Sequence, residues 1–393
     1  MKVLHISTFD NAGAGLCCSR IHQALLSSGI DSKMLVMHNT QHTKEEYECG
    51  FWRIKANAAI SKILRRLGIL LSDRNKVIAL AEKYNTTYTL PTSIVDISKN
   101  ELINWADIIH LHWVNGYIDY PSFFSRIKKP IVWTLHDENL FYGIAHHNKC
   151  ILRDNPLEVK YRRIKSDAVK NAANLSIVFL SQMMKENFDD EDIIKGRYTT
   201  VINNSVNPEL FKPSDKLEVR TKMGFDLQAT YFVFIATDIS DANKGLALLS
   251  DALNKIDSKI KIIAVGGNPH DFKRDNVLPV GFTKDQKELS EFISCADYMA
   301  MPSYQEAFSQ SPLEALACGL PIIVFPVSGT KELVIDDNGV VCDDFTVESL
   351  ENGIRKLLLK KFDRDYIRRD VINRFSSASI IKKYIDLYNR VLE

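Results

Sequence analysis

YMAMPSYQEAFSQSPLEALACGLPIIVF, residues 298–325, reads as a short strand, a proline-marked turn, a helix and a second strand. The outer runs, YMAM and IIVF, lack a polar alternate face, which is the pattern of strands covered on both sides in a parallel sheet. Between them Ser311–Ala317 has helical periodicity, and the Cys-Gly-Leu-Pro that follows (318–321) stops it. A strand–helix–strand unit of this kind joins two parallel strands.

The same alternation extends in both directions. Strands are expected at Lys2–Ser7, Lys33–Met37, Asp107–His112, Ile131–Leu135, Leu175–Leu180 and Thr199–Asn203. A second series follows at Tyr231–Thr237, Ile260–Val265, Asn276–Val280, Tyr298–Met301 and Ile322–Phe325. Helices are expected at Cys17–Ser27, Lys244–Ile256 and Lys284–Ala296. The repetition implies doubly wound α/β architecture. The polar, proline-containing NNSVNPELFKPSD (203–215) reads as a linker. It divides the chain into α/β halves at 1–205 and 206–374, with a helical tail at 375–393. Two such domains are expected to face each other across a cleft, with ligands at the carboxyl ends of the strands.

Composition narrows the class. The chain has 393 residues, 50 Lys+Arg against 49 Asp+Glu, 45% hydrophobic and 25% charged residues. That balance excludes a disordered tail, a coiled-coil rod and a strongly basic nucleic-acid binder, so no nucleic-acid partner is expected. No apolar run reaches the ~18 residues of a membrane span. MKVLHISTFD turns polar at once, unlike a secretion leader, and the seven cysteines never fall in CxxC spacing. A cytoplasmic protein with reduced thiols is therefore expected.

Three features suggest sites. FDNAGAGLCCSR (9–20) is a glycine-rich turn between strand and helix, where Gly13, Ala14 and Gly15 bring backbone N–H groups within reach of a phosphate. It lacks the third glycine of a dinucleotide fingerprint, and no acidic residue closes the second strand. In 305–325, Glu306 falls on a loop and Glu314 eight residues on, within a helix. A loop carboxylate can accept hydrogen bonds from sugar hydroxyls, one inside the helix can grip a ribose diol, and first-turn amides can face a diphosphate. The stretch 51–76 is helix-like, with Arg53, Lys55, Lys62, Arg65, Arg66, Arg74 and Lys76 among Ile and Leu. It suits an anionic membrane surface, and equally an ordinary surface helix with snorkelling cations.

The Glu306–Glu314 segment resembles the Glu-x7-Glu signature of retaining GT-B glycosyltransferases of family 4, particularly those of bacterial O-antigen, capsule and colanic-acid synthesis. WTLHD (133–137) resembles the strand whose histidine, here His136, lines the family's active site. INNSVNPELFKP (202–213) is similar to the interdomain segment, and NKGLALLSDAL (243–253) to the helix start carrying a phosphate-binding lysine, here Lys244. VGG (265–267), PVGF (279–282) and SGTKELV (328–334) fall at the family's C-domain turns, and 375–393 resembles the closing helix that crosses back to the first domain.

The resemblance implies a GT-B fold in which 1–205, with 375–393, binds acceptor and 206–374 binds a nucleotide-sugar donor. It implies catalytic roles for His136, Lys244 and Glu306. Donor contacts would come from Gly13, Ala14, Gly15, Lys244, Phe282, Glu306, Ala307, Phe308, Ser309, Gln310 and Glu314. No cofactor and no metal are expected. The implied acceptor is a glycan or a polyprenyl-diphosphate-linked glycan, met at the inner face of a bacterial membrane through 51–76. The chain departs from the family in four places. Ile239 stands where an arginine is usual, with Arg20 or Lys331 as possible substitutes. The EGFG turn reads EAFS, the linker's asparagine-glycine reads Asn204-Ser205, and FYGIAHHNKC (141–150) replaces a glycine-rich segment. A sugar-nucleotide epimerase and a non-catalytic nucleotide-sugar-binding partner stay open beside the transferase.

Other constellations carry less. His110 and His112 share one strand face but have no third ligand nearby in sequence. His146, His147 and Cys150 lie together on a loop, and DDED (189–192) reads as a solvated acidic turn, not a metal-binding Asp-x-Asp. Trp105, Trp113 and Trp133 read as core.

Overall fold

The computed structural model describes residues 1–40, 45–66, 72–148 and 151–393. Its backbone forms two units, Met1–Ile202 with Ile381–Glu393, and Asn203–Ile380.

Unit 1 runs β1 (Lys2–Phe9), α1 (Ala12–Ser27), β2 (Asp31–His38), β3 (Glu46–Glu48), α2 (Phe51–Arg66), α3 (Asp73–Tyr84), α4 (Glu101–Trp105) and β4 (Ile108–Leu111). It continues with α5 (Tyr120–Arg126), β5 (Ile131–Leu135), α6 (Pro156–Lys170), β6 (Leu175–Phe179), α7 (Gln182–Phe188) and β7 (Thr199–Val201). The strands form one parallel sheet in the order β3-β2-β1-β4-β5-β6-β7. β4, β5 and β6 are buried along their whole length, as their β-branched, non-alternating sequences require.

Unit 2 contains α8 (Lys216–Met223), β8 (Tyr231–Asp238), α9 (Leu246–Ile256), β9 (Lys261–Gly267), β10 (Val277–Gly281), α10 (Gln286–Cys295) and β11 (Tyr298–Met301). Then come α11 (Gln310–Ala317), β12 (Ile322–Val324), α12 (Ser328–Lys331), β13 (Gly339–Val341), α13 (Val347–Leu359) and α14 (Arg364–Phe375). Its sheet order is β10-β9-β8-β11-β12-β13. Phe232, Phe234, Ile262, Ile323, Leu249, Leu253, Ile354 and Leu357 interlock as the core between sheet and helices. The last helix, α15 (Ser377–Leu392), joins unit 1 from Ile381 onward. There Tyr388 and Tyr384 bring their hydroxyls to His110 Nδ1 (2.7 Å) and Thr134 Oγ1 (3.0 Å).

The strand order of each sheet reverses beside its first strand, between β1 and β4 and between β8 and β11. Ligands of open α/β sheets sit beyond the strand ends at such a switch.

Three local expectations are corrected. The stretch 51–76 is not one helix: α2 ends at Arg66, and α3 begins after Ser72, whose hydroxyl caps it by accepting from Asn75 N. Arg74 and Lys76 therefore sit on a separate helix, which packs through Val77 against Ile144, Ala145 and Tyr161. Residues 67–71 and the Arg65 and Arg66 side chains lie outside the described residues. Second, Lys244 does not begin α9. It ends a 3-10 turn, Ala242–Lys244, and the chain reverses through Gly245 at φ 78°. A Cβ on Gly245 would meet Pro302 O at 2.3 Å, so close approach and positive φ both require glycine. Third, β3 and β13, three residues each, were not anticipated.

Candidate functional site

In unit 2 the sites meet at the switch between β8 and β11. Lys244 follows β8, Glu306 follows β11, and Lys244 Nζ donates to Glu306 Oε1 at 2.8 Å. Burial disfavours the ammonium, but Glu306 and Asp241 outweigh it and raise the lysine's pKa. The pair keeps a cation beside the strand ends while no anion is bound.

Helix starts follow the same strand ends of unit 2. Of the α-helices whose N-caps are described, nine are capped by a Ser, Thr, Asn or Asp side chain. The exceptions are α1, α9, α11 and α12. Three of the four follow β8, β11 and β12 of unit 2, and the fourth follows β1 of unit 1. First-turn amides without a side-chain cap, at the positive end of a helix, are what an anion binds.

The EAFS loop is held rigidly. Asn204 Nδ2 donates to Phe308 O at 3.1 Å, and Gly329 N to Ala307 O at 3.0 Å. A Cβ on Gly329 would stand 2.2 Å from Ala307 O, so α12 seats on this loop only through glycine. Arg368 on α14 fixes the far end of α11, donating to Phe211 O (2.7 Å), Pro208 O (2.9 Å) and Ala317 O. Phe308 is buried against Phe375, and so supports the loop. Ser309 is the buried N-cap of α11, Ala307 and Gln310 are half-buried, and Glu314 is 4% exposed one turn into the helix. Phe282 lies apart, exposed after the edge strand β10.

Ile239 belongs to the core, packed with Phe234, Leu246 and Ala264, so no cation stands at that place. Lys331 is exposed in α12; Arg20 is half-buried in α1, in unit 1.

In unit 1 the ends of β1, β4 and β5 adjoin. Gly13 is exposed at φ 40°, Ala14 is half-buried, and a Cβ on Gly15 would meet Phe9 O at 2.6 Å. Thus Gly15 lets α1 close on β1. His136, half-buried after β5, borders a small pocket lined also by His112, Trp113, Asn115, Trp133 and Asp137. Burial, partly offset by Asp137, pushes its pKa down to about 4, so the ring is neutral near pH 7.

The following loop is organised by charges that sequence reading missed. Asp137 Oδ2 accepts from Trp113 Nε1 (2.7 Å) and pairs with His146 Nδ1 (2.6 Å), while Oδ1 accepts from Asn139 N (2.9 Å). Burial opposes the carboxylate, yet His146 and the Asn139 amide hold its pKa far below the usual range. The Glu158 carboxylate accepts from the amides of Gly143, Ile144 (2.8 Å) and Ala145 (3.2 Å). Lys165, fully buried, donates to Asn139 O (2.6 Å) and Oδ1 (2.7 Å). Trp113 is thus a polar anchor as well as a packed ring, correcting its core assignment. No local signal marks Glu158 or Lys165, which lie on a helix rich in surface charges.

The histidine pair acquires a third member. His5, His110 and His112 are the described metal-ligating group whose ligand atoms converge, within 4.8 Å. Both His110 nitrogens are taken by hydroxyls, Tyr388 at 2.7 Å and Thr134 at 2.8 Å, and His5 Nδ1 lies 3.0 Å from His112 Nε2. The cluster is a hydrogen-bonded network. His146 is engaged with Asp137 and with Thr89 (2.9 Å), Cys150 lies outside the described residues, and Asp189 of the acidic turn pairs with Lys185.

Residues 229–360 match the family model described as glycosyl transferases group 1. D-inositol 3-phosphate glycosyltransferase 2 of Catenulispora acidiphila is 28% identical over 253 residues, 59% of this chain and 57% of that protein. The D-inositol 3-phosphate glycosyltransferase of Xylanimonas cellulosilytica is 25% identical over 266 residues, 61% and 60%. The chain thus spans less than two thirds of the length of these relatives. In fold, a Rickettsia africae glycosyltransferase superposes with TM-score 0.68 at 17% identity, covering 100% of this chain and 98% of that one. Anabaena HepE, solved with UDP-glucose, superposes with TM-score 0.67 at 17% identity, covering 99% and 100%. Two Rossmann-like units of seven and six parallel strands match the GT-B architecture of these structures, and the likeness to the group 1 glycosyl transferases lies in residues 229–360.

Proposed function

We propose that this chain transfers a sugar from a nucleoside diphosphate donor to an acceptor hydroxyl, with unit 2 holding the donor. The observation that carries the reading is the Lys244–Glu306 pair between uncapped helix starts at the β8/β11 switch. As the glycosidic bond breaks, negative charge gathers on the leaving diphosphate. A lysine and oriented amides already in place stabilise that charge without reorganisation. Glu306 orients sugar hydroxyls once the diphosphate draws Lys244 away, Glu314 grips the ribose, and the leaving phosphate oxygen takes the acceptor's proton. Anomeric configuration is retained and no metal takes part.

The acceptor in this reading is a glycan, free or polyprenyl-diphosphate-linked, in bacterial surface polysaccharide synthesis. The names of the two relatives point to an inositol phosphate, so both acceptor classes belong in the assay. Peripheral attachment to the inner face of the membrane would use α2, where Trp52 and Ile60 are 72% and 59% exposed alongside exposed Lys55 and Lys62.

The test is a panel of nucleotide sugars against purified protein, read first by thermal shift and then by transfer with and without EDTA. One donor should stabilise the fold, by ~2.7 kcal/mol at a hundred times its Kd. Transfer should survive EDTA and collapse in Lys244→Ala. Activity abolished by chelator would refute the metal-free route, and undiminished activity in Lys244→Ala would refute the site. Donor binding without turnover on any acceptor would instead favour a nucleotide-sugar-binding partner, the reading that Ile239 in place of a cation supports.

A further inference from the structure

Behind His136 the imidazoles of β1 and of the ends of the adjacent β4 and β5 form a chain. His136 Nε2 lies 3.1 Å from His112 Nδ1, and His112 Nε2 lies 3.0 Å from His5 Nδ1. His5 and His112 are 0% and 1% exposed. At the closed end, His5 Nε2 is buried without a hydrogen-bond partner; at the open end, His136 is half-exposed, and its Nδ1 has no hydrogen-bond partner among the described residues. His110 stands beside the chain, its ring centroid 4.1 Å from that of His112, with both nitrogens committed to hydroxyls.

All three rings of the chain are neutral near pH 7. Burial lowers the pKa of His5 and of His112, and the neighbouring rings lower them further. His22 and His110, the titratable groups pressing on His5 besides His112, are themselves depressed by burial.

A neutral imidazole has one N–H and one lone pair, and each N···N contact needs one of each. Only two patterns satisfy both contacts: protons on Nδ1 of all three rings, or on Nε2 of all three. Any mixture sets two N–H groups or two lone pairs face to face. The tautomer of His136 is therefore tied to that of His5, two rings away. The all-Nε2 pattern buries an N–H of His5 with no acceptor. The all-Nδ1 pattern leaves a lone pair there, and orphaned buried N–H groups are the rarer of the two.

We infer that His5 and His112 are positioning residues that hold His136 as its Nδ1–H tautomer, making its open nitrogen a hydrogen-bond donor to a ligand oxygen. That oxygen is a sugar hydroxyl or a phosphate oxygen, and His136 does not serve as a general base. The role toward ligand rests on the proposed function; the tautomer does not.

The experiment is histidine 15N labelling of the whole chain, with two-bond 1H–15N correlation spectra to read each ring's tautomer. Wild type should show His5, His112 and His136 all protonated on Nδ1. His112→Phe removes the donor to His136 Nε2, so His136 should become a tautomer mixture, and kcat should fall about three- to tenfold with little change in donor KM. His112→Asn keeps an amide N–H near the same place and should restore both readouts. Wild-type His136 protonated on Nε2 would overturn the inference, and that spectrum is readable even if His112→Phe fails to fold. An unchanged His136 tautomer in folded His112→Phe would also overturn it, as would stoichiometric zinc bound by these rings. The all-Nδ1 pattern in a protein that transfers no sugar would overturn the function and leave the tautomer standing.

Discussion

Lys165 should make this protein more stable in mild alkali. Burial pulls its pKa from the ordinary 10.5 to about 7, with Asp137 and Glu158 holding it partly up. The folded pKa is depressed, so between about pH 7 and 10.5 the unfolded chain binds the extra proton and stability rises with pH. Below pH 7 both states are protonated and the full desolvation penalty is present. With folded and unfolded values of about 7 and 10.5, raising the pH from 7 to 9.5 adds ~3 kcal/mol from this one group. Lys165→Met removes the titration. It also leaves Asn139 Oδ1 without its donor and takes one of two donors from Asn139 O, which keeps the Tyr142 amide at 3.3 Å, a loss of ~1–3 kcal/mol that does not depend on pH. Urea unfolding of wild type and variant at pH 7.0 and 9.5 isolates the term as a difference of differences, since every other titrating group cancels. Wild type should gain ~3 kcal/mol relative to Lys165→Met over that interval. A gap that stays constant with pH would mean that Lys165 is not desolvated as its surroundings imply.

Glu306→Gln should lower turnover more than donor affinity, because its contacts to sugar strengthen as the bond breaks; equal kcat in variant and wild type would remove Glu306 from the reaction. Its effect on stability should stay within ~1 kcal/mol, since the Lys244 partner is 29% exposed. Glu314→Ala should weaken donor binding by ~1.5–3 kcal/mol through a lost carboxylate–diol contact, measured by calorimetry, and an unchanged Kd would make this a structural glutamate. Gly329→Ala should cost ~1–3 kcal/mol in denaturant unfolding, because the new methyl meets the Ala307 carbonyl and must displace the EAFS loop. Neutral behaviour there would show that α12 and the loop are not packed as described.

The sequence by itself determined the layer plan, because short runs buried on both faces carry their own signature. Eleven of the thirteen described strands, from Lys2–Phe9 to Ile322–Val324, are readable as short, mostly apolar runs with glycine or proline nearby. It also nominated Glu306 and Glu314 through a local motif after a strand, and Lys244 and His136 through the family resemblance. Only the tertiary structure decided what these groups touch. Lys244 and Glu306 are 62 residues apart and meet because β8 and β11 are neighbours across the switch, an adjacency no local pattern encodes. His5 on β1, and His112 and His136 one residue past β4 and β5, meet because those strands are consecutive in the sheet, although over a hundred residues separate the first two. Glu158 and Lys165 look like surface charges on a helix until the fold buries them under the loop after β5. Periodicity reports which face of an element is buried. Which buried charge meets which partner follows from strand order and close packing, and these arise only when the sheet is assembled.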